Sequence, residues 1–151
     1  MSLTIGDKAP LSLGKDQDGK EILLSDFSGK KIILYFYPKD NTPGCTAEAC
    51  SFRDNYQTLQ EQGYVVIGVS KDSEKSHRSF IEKKQLPFIL IADTELELQK
   101  QFDVWREKKM YGKTSMGTVR TTFLINEQGI ITDIIEKVNT KDAANQILNG
   151  K

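Results

Sequence analysis

Apolar residues fall along this chain in two alternating patterns, short continuous runs and longer stretches at helical spacing. The run Lys31-Ile-Ile-Leu-Tyr-Phe-Tyr37 is apolar on both faces of an extended chain, which predicts a central strand covered on two sides. Tyr64-Val-Val-Ile-Gly-Val-Ser70 reads the same way. Between these runs Ala49, Phe52, Tyr56 and Leu59 recur at helical spacing and predict an amphipathic helix over residues 47–62 lying on the sheet. Short strands are expected at 11–14 and 21–24, a strand at 88–92, and helices at 73–84, 96–102 and 141–148. Residues 121–125 and 130–137, joined by the turn Asn126-Glu-Gln-Gly129, have the β-branched content and turn chemistry of a hairpin. The order predicts an α/β sandwich, a central mixed β-sheet flanked by helices.

Composition narrows the function classes. A chain of 151 residues suits one domain with a single core, spanning 1–151. Lys plus Arg and Asp plus Glu both number 21, so no net field draws the protein to nucleic acid or to anionic lipid. No basic-apolar leader, membrane-length run or low-complexity tail is visible, and the expectation is a cytoplasmic protein with no membrane and no nucleic-acid partner.

The chemistry concentrates after the first buried run. Pro38 ends the strand, Thr42 suits a helix N-cap, and Pro43 suits the first helical position because the N–H it lacks has no helical acceptor there. Cys45 then falls in the first turn, where free backbone N–H groups and the positive end of the helix dipole favour a thiolate. Cys50 is the only other cysteine. It lies about 140° further round an ideal helix, with Cα atoms about 8.6 Å apart. A disulfide tolerates at most about 7 Å, so the two thiols can join only if the start of the helix unwinds. A thiol of ordinary acidity is only about 3% thiolate at pH 7, so a permanent cation nearby is the obvious remedy.

Pro38, Thr42 and Cys45 match the peroxiredoxin pattern Pro-x-x-x-Thr-x-x-Cys, and Gly44-Cys45-Thr46-x-Glu48-x-Cys50 resembles the branch called bacterioferritin comigratory protein or peroxiredoxin Q. Trp105, Lys109-Met-Tyr-Gly-Lys113, Met116-Gly117 and Arg120-Thr-Thr-Phe-Leu-Ile125 extend the resemblance over nearly the whole chain. A thioredoxin-like sandwich with an N-terminal extension fits both the resemblance and the element order. The resemblance implies a thiol-dependent peroxidase acting on hydrogen peroxide and organic hydroperoxides. Cys45 would be the nucleophile, its sulfenic acid condensing with Cys50 to an intramolecular disulfide that thioredoxin or a similar dithiol reduces. It further implies that Arg120 reaches Cys45 and the peroxide from its own strand. The Thr42 hydroxyl and the N–H groups of Gly44 and Cys45 would receive substrate, Pro38 would shield the thiolate, and Glu48 would orient Arg120. No metal, flavin or nucleotide is needed, and a monomer or weak dimer is expected.

Other residues read as ordinary surface or packing. His77 is expected on the solvent face of its helix, the Lys83-Lys84 and Lys108-Lys109 pairs in solvent, and Trp105 under a loop. Two other classes are weaker: a general thiol–disulfide oxidoreductase expects Cys-x-x-Cys, and a holdase needs an exposed apolar patch that periodicity does not locate.

Overall fold

The computed structural model describes residues 3–110 and 112–148. Its centre is a five-stranded mixed sheet of order β5-β4-β3-β8-β9. The strands are β3 (Lys31–Phe36), β4 (Tyr64–Ser70), β5 (Ile89–Ala92), β8 (Thr121–Ile125) and β9 (Ile131–Ile135). Strands β3, β4 and β5 run parallel, while β8 and β9 pair antiparallel. Ahead of them β1 (Ser12–Lys15) and β2 (Glu21–Leu23) form a separate antiparallel pair, the expected N-terminal extension.

The double-sided pattern of β3 has its cause in two cores. Ile33, Tyr35 and Tyr37 pack with Ala49, Phe52, Leu59, Phe80 and Ile147 on one face. Ile32, Leu34 and Phe36 pack with Leu13, Ile22, Phe102 and Phe123 on the other. Alternate side chains point to opposite faces, so a strand buried twice must be apolar throughout. Opposite Tyr35, β4 carries Gly68, where a Cβ would meet the Tyr35 ring atoms at 2.9 Å; the ring occupies that room.

The first face is covered by α1 (Pro43–Asp54), α2 (Tyr56–Glu61), α3 (Glu74–Lys84) and α5 (Ala143–Leu148), and α4 (Glu97–Gln101) serves the second. The expected single helix over 47–62 is two helices broken at Asn55. There both the backbone N–H and the side-chain Nδ2 of Asn55 donate to the Ser51 carbonyl, and this local competition interrupts the helix. In the hairpin turn, Asn126 Oδ1 accepts the N–H groups of Gln128 and Ile130, with Gly129 at a φ of 80°.

One hairpin lies outside the expected elements. Among the described residues, strands β6 (Trp105–Met110) and β7 (Lys113–Thr118) pair only with each other, and β7 is exposed over most of its length. Their charged and hydroxyl-rich sequence lacks the alternation that marks a half-buried strand. The resemblance at 109–113 falls partly on residue 111, which lies outside the described residues.

Candidate active site

The site forms where β3 ends and α1 begins. Proline at the first helical position and Thr42 in extended geometry start the helix as its sequence predicts. Thr46 N–H donates to the Thr42 carbonyl at 2.8 Å, so the helical ladder starts one residue after Cys45. The N–H groups of Gly44 and Cys45 precede it. The Thr42 hydroxyl differs from an ordinary cap: it donates to the Lys39 carbonyl at 2.8 Å and makes no hydrogen bond to the helix N-terminus. Its lone pairs, not its hydrogen, remain for a partner in the site.

Cys45 is buried and Cys50 half-buried, and both are free thiols on an unbroken α1. Arg120 comes to them from far along the chain. It precedes β8 by one residue instead of lying within it, and the β3–β8 register, which pairs Thr121 with Phe36, sets it beside the end of β3. Its Nη2 donates to Cys45 Sγ at 3.4 Å and its Nη1 to Glu48 Oε1 at 2.7 Å. A Cβ on Gly44 would lie 3.1 Å from that Nη2, so the guanidinium rests against bare backbone. The planar fork thus joins a carboxylate and a sulfur at once.

Glu48 is fully buried, and burial pushes its carboxyl up to about 7 although the charge and hydrogen bond of Arg120 pull it down. Among the described residues, its Oε2 has no hydrogen-bond partner, nor has the buried Tyr35 hydroxyl. Burial also works against the charge of Arg120, but Glu48 and Cys45 outweigh it and raise its basicity, so it remains a cation. The structure therefore brings together Cys45, Arg120, Glu48 and Gly44. Thr42 and Pro38 stand in the adjoining loop, and Cys50 sits further along the same helix.

Two expectations need correction. His77 is fully buried, because its ring nitrogens meet Asp40 Oδ2 and the Ile91 carbonyl, each at 2.8 Å. A polar-looking helix face was here turned to a polar partner inside the fold. Lys108 is half-buried, its Nζ donating to the Thr118 carbonyl at 2.7 Å, and burial followed by the charge of Arg120 lowers its basicity. Trp105 is half-buried under the Lys71 ammonium, 5.9 Å from the ring centre. No motif pointed to Asp40, although it stands between Pro38 and Thr42; its hydrogen-bond partners Ser76 and His77 lie more than thirty residues away.

A helix-borne thiol held by an arginine, on a thioredoxin-like mixed sheet, is the framework of the peroxiredoxins. The chain belongs to the AhpC/TSA family, whose sequence pattern matches residues 5–134, and within it to the bacterioferritin comigratory protein or peroxiredoxin Q branch. It is 50% identical over 142 residues to peroxiredoxin Bcp of Bacillus subtilis, covering 94% of this chain and 90% of that one. It is 41% identical to peroxiredoxin Bcp of Escherichia coli K12 over 147 residues, covering 97% and 94%. Among solved structures, PrxQ of Xylella fastidiosa superposes with a TM-score of 0.90 at 36% identity, over 99% of this chain and 96% of that one. The bacterioferritin comigratory protein of Xanthomonas campestris, studied for alkyl peroxide reduction, superposes with a TM-score of 0.86 at 35% identity, over 98% and 94%. The chain is a thiol-dependent peroxidase, an oxidoreductase with a cysteine-based mechanism. No described helix is long and apolar enough to cross a membrane.

Proposed function

We propose that Cys45 is the peroxidatic nucleophile and Cys50 the resolving thiol of a peroxidase that reduces hydrogen peroxide and organic hydroperoxides at the expense of thioredoxin or a similar dithiol. The carrying observation is the Arg120 fork, with one arm on Cys45 Sγ and the other on Glu48. Attack of the Cys45 thiolate on one peroxide oxygen forms the S–O bond and breaks the O–O bond. The departing alkoxide or hydroxide takes a proton to give alcohol or water, and Cys45 becomes sulfenic acid. Arg120 favours the thiolate before attack and faces the charge that develops on oxygen during it. The N–H groups of Gly44 and Cys45 and the lone pairs of Thr42 line the same end of the helix. Pro38, half-buried at the end of β3, limits water there.

Condensation of the sulfenic acid with the Cys50 thiol forms the disulfide and releases water. An external dithiol then returns both sulfurs to thiols and is itself oxidised. Because the two thiols share α1, no second copy of the chain is required, in keeping with a monomer or weak dimer. The reading includes a cytoplasmic location, where reduced dithiols are kept available. Peroxide loss coupled to oxidation of reduced thioredoxin tests the reading. Wild type should consume both, Cys45→Ser should consume neither with its fold intact, and dithiol oxidation without peroxide loss would refute it.

A further inference from the structure

A second group of buried polar side chains lies directly upstream of the catalytic segment. Asp40 is 5% exposed and His77 fully buried. The Tyr37 hydroxyl donates to Asp40 Oδ1 at 2.6 Å, and the Ser76 hydroxyl to Oδ2 at 2.7 Å. His77 Nδ1 meets the same Oδ2, while its Nε2 donates to the Ile91 carbonyl of β5. A carbonyl oxygen can only accept, so Nε2 carries a hydrogen. Burial opposes ionisation of Asp40, yet the hydrogen bond and charge of His77, with the hydroxyls of Tyr37 and Ser76, hold its carboxyl below the ordinary range. The ionised carboxylate accepts from Nδ1 as well, and the ring donates from both sides. The backbone N–H of Asp40 is tied in turn to Asp72 Oδ2, which accepts the Ser70 hydroxyl. Asp40, Asp72 and His77 offer atoms within 4.8 Å of one another, but direct contact between ring and carboxylate fills the place an ion would need.

The position of this cluster gives it a role. Asp40 lies between Pro38 and Thr42, and Asn41, with a φ of 62°, turns the chain sharply from it into α1. Residue 40 is thus fixed to β4, β5 and α3. Among the described residues, the start of α1 has no tie to Asp40 or His77: it is held by its own ladder, by Arg120 on Cys45 and Glu48, and by packing on the turn Thr140–Asp142, while further along Phe52 enters the core, Arg53 donates to the Lys84 carbonyl and Ser51 Oγ accepts the Ala144 N–H. Joining Cys45 to Cys50 requires the start of α1 to unwind, and unwinding that enters the loop would lose the placement of Pro38 and Thr42. We propose that the Asp40–His77 pair is a fixed anchor: it positions the Pro38–Thr42 loop for peroxide attack and stays closed while the helix beyond it unwinds. This rests on Cys45 and Cys50 acting as proposed above. Asp40 and His77 are positioning residues, since neither touches the sulfur.

His77 is the single histidine of the chain, so its ring signals can be followed by NMR without ambiguity. Slowly exchanging ring N–H signals are expected in the reduced protein and, unchanged, in the Cys45–Cys50 disulfide form; their loss on oxidation overturns the anchor. Independently of Cys50, His77→Gln should slow the first oxidation of Cys45 by roughly tenfold, because it loosens the groups that orient attack. The double variant Asp40→Asn/His77→Gln, which leaves no unpaired buried charge, should recover most of that loss. Ile22→Ala, which weakens the other core, should leave this first oxidation unchanged. A His77→Gln rate equal to wild type, or a loss matched by Ile22→Ala, refutes positioning. A failure of any disulfide to form would instead remove Cys50 as resolving thiol and leave the first-oxidation test intact.

Discussion

Replacing Arg120 by Gln removes the guanidinium on Cys45 and leaves a shorter, neutral amide. The cation stands 3.4 Å from the sulfur, and at an effective dielectric of 20 a full charge there favours the thiolate by about 5 kcal/mol. Two features reduce that figure. Glu48 takes the other arm at 2.7 Å, and the Arg120 side chain is 22% exposed, so water screens part of the field. Taking about half leaves roughly 2.5 kcal/mol, near the loss that follows removal of one oxyanion donor, about 10²-fold in rate. The second-order rate of Cys45 oxidation, followed by quenched flow and mass spectrometry at pH 7, should therefore fall about 100-fold. Arg120→Lys should rescue poorly, because a point charge cannot hold Glu48 and the sulfur together. A fall of less than about threefold would refute the electrostatic argument.

Glu48→Gln should change how stability depends on pH. A buried carboxyl raised from 4.5 to about 7 contributes stability that is fully present below 4.5 and lost as pH rises through 7. Denaturant unfolding of wild type should thus lose up to about 3 kcal/mol relative to Glu48→Gln between those pH values; parallel curves would contradict the assignment. Gly44→Ala should leave α1 at least as stable, since alanine is the better helix former, yet slow Cys45 oxidation about tenfold by pushing away the guanidinium that lies 3.1 Å from the new Cβ. An unchanged rate would mean that the Arg120 placement does not matter. Cys50→Ser should give one rapid oxidation of Cys45 and then lose thioredoxin-linked turnover, and full turnover would exclude Cys50 as the resolving thiol. In wild type, circular dichroism and amide exchange should report loss of helix over the start of α1 on disulfide formation; an undisturbed helix containing the disulfide would contradict the geometry.

What the sequence determined was local. Strands β3 and β4 followed from runs apolar on both faces, because burial on two sides leaves no polar position. The start of α1 followed from Thr42 and Pro43, whose backbone preferences act within a few residues, and Cys45 in the first turn came with it. Tertiary structure decided the rest. Arg120 meets Cys45 and Glu48 across more than seventy residues only because the β3–β8 register sets it at the end of β3. His77, on a helix whose neighbours look solvated, is drawn inside by Asp40 from another element, and no periodicity encodes such a pairing. The hairpin of β6 and β7 carries no hydrophobic signature for a related reason: its strands pair with each other, and β7 stays exposed over most of its length. Hydrophobic spacing is written along the chain, whereas the partners of buried polar groups are chosen by the fold, since an unpaired charge in the interior must find one there.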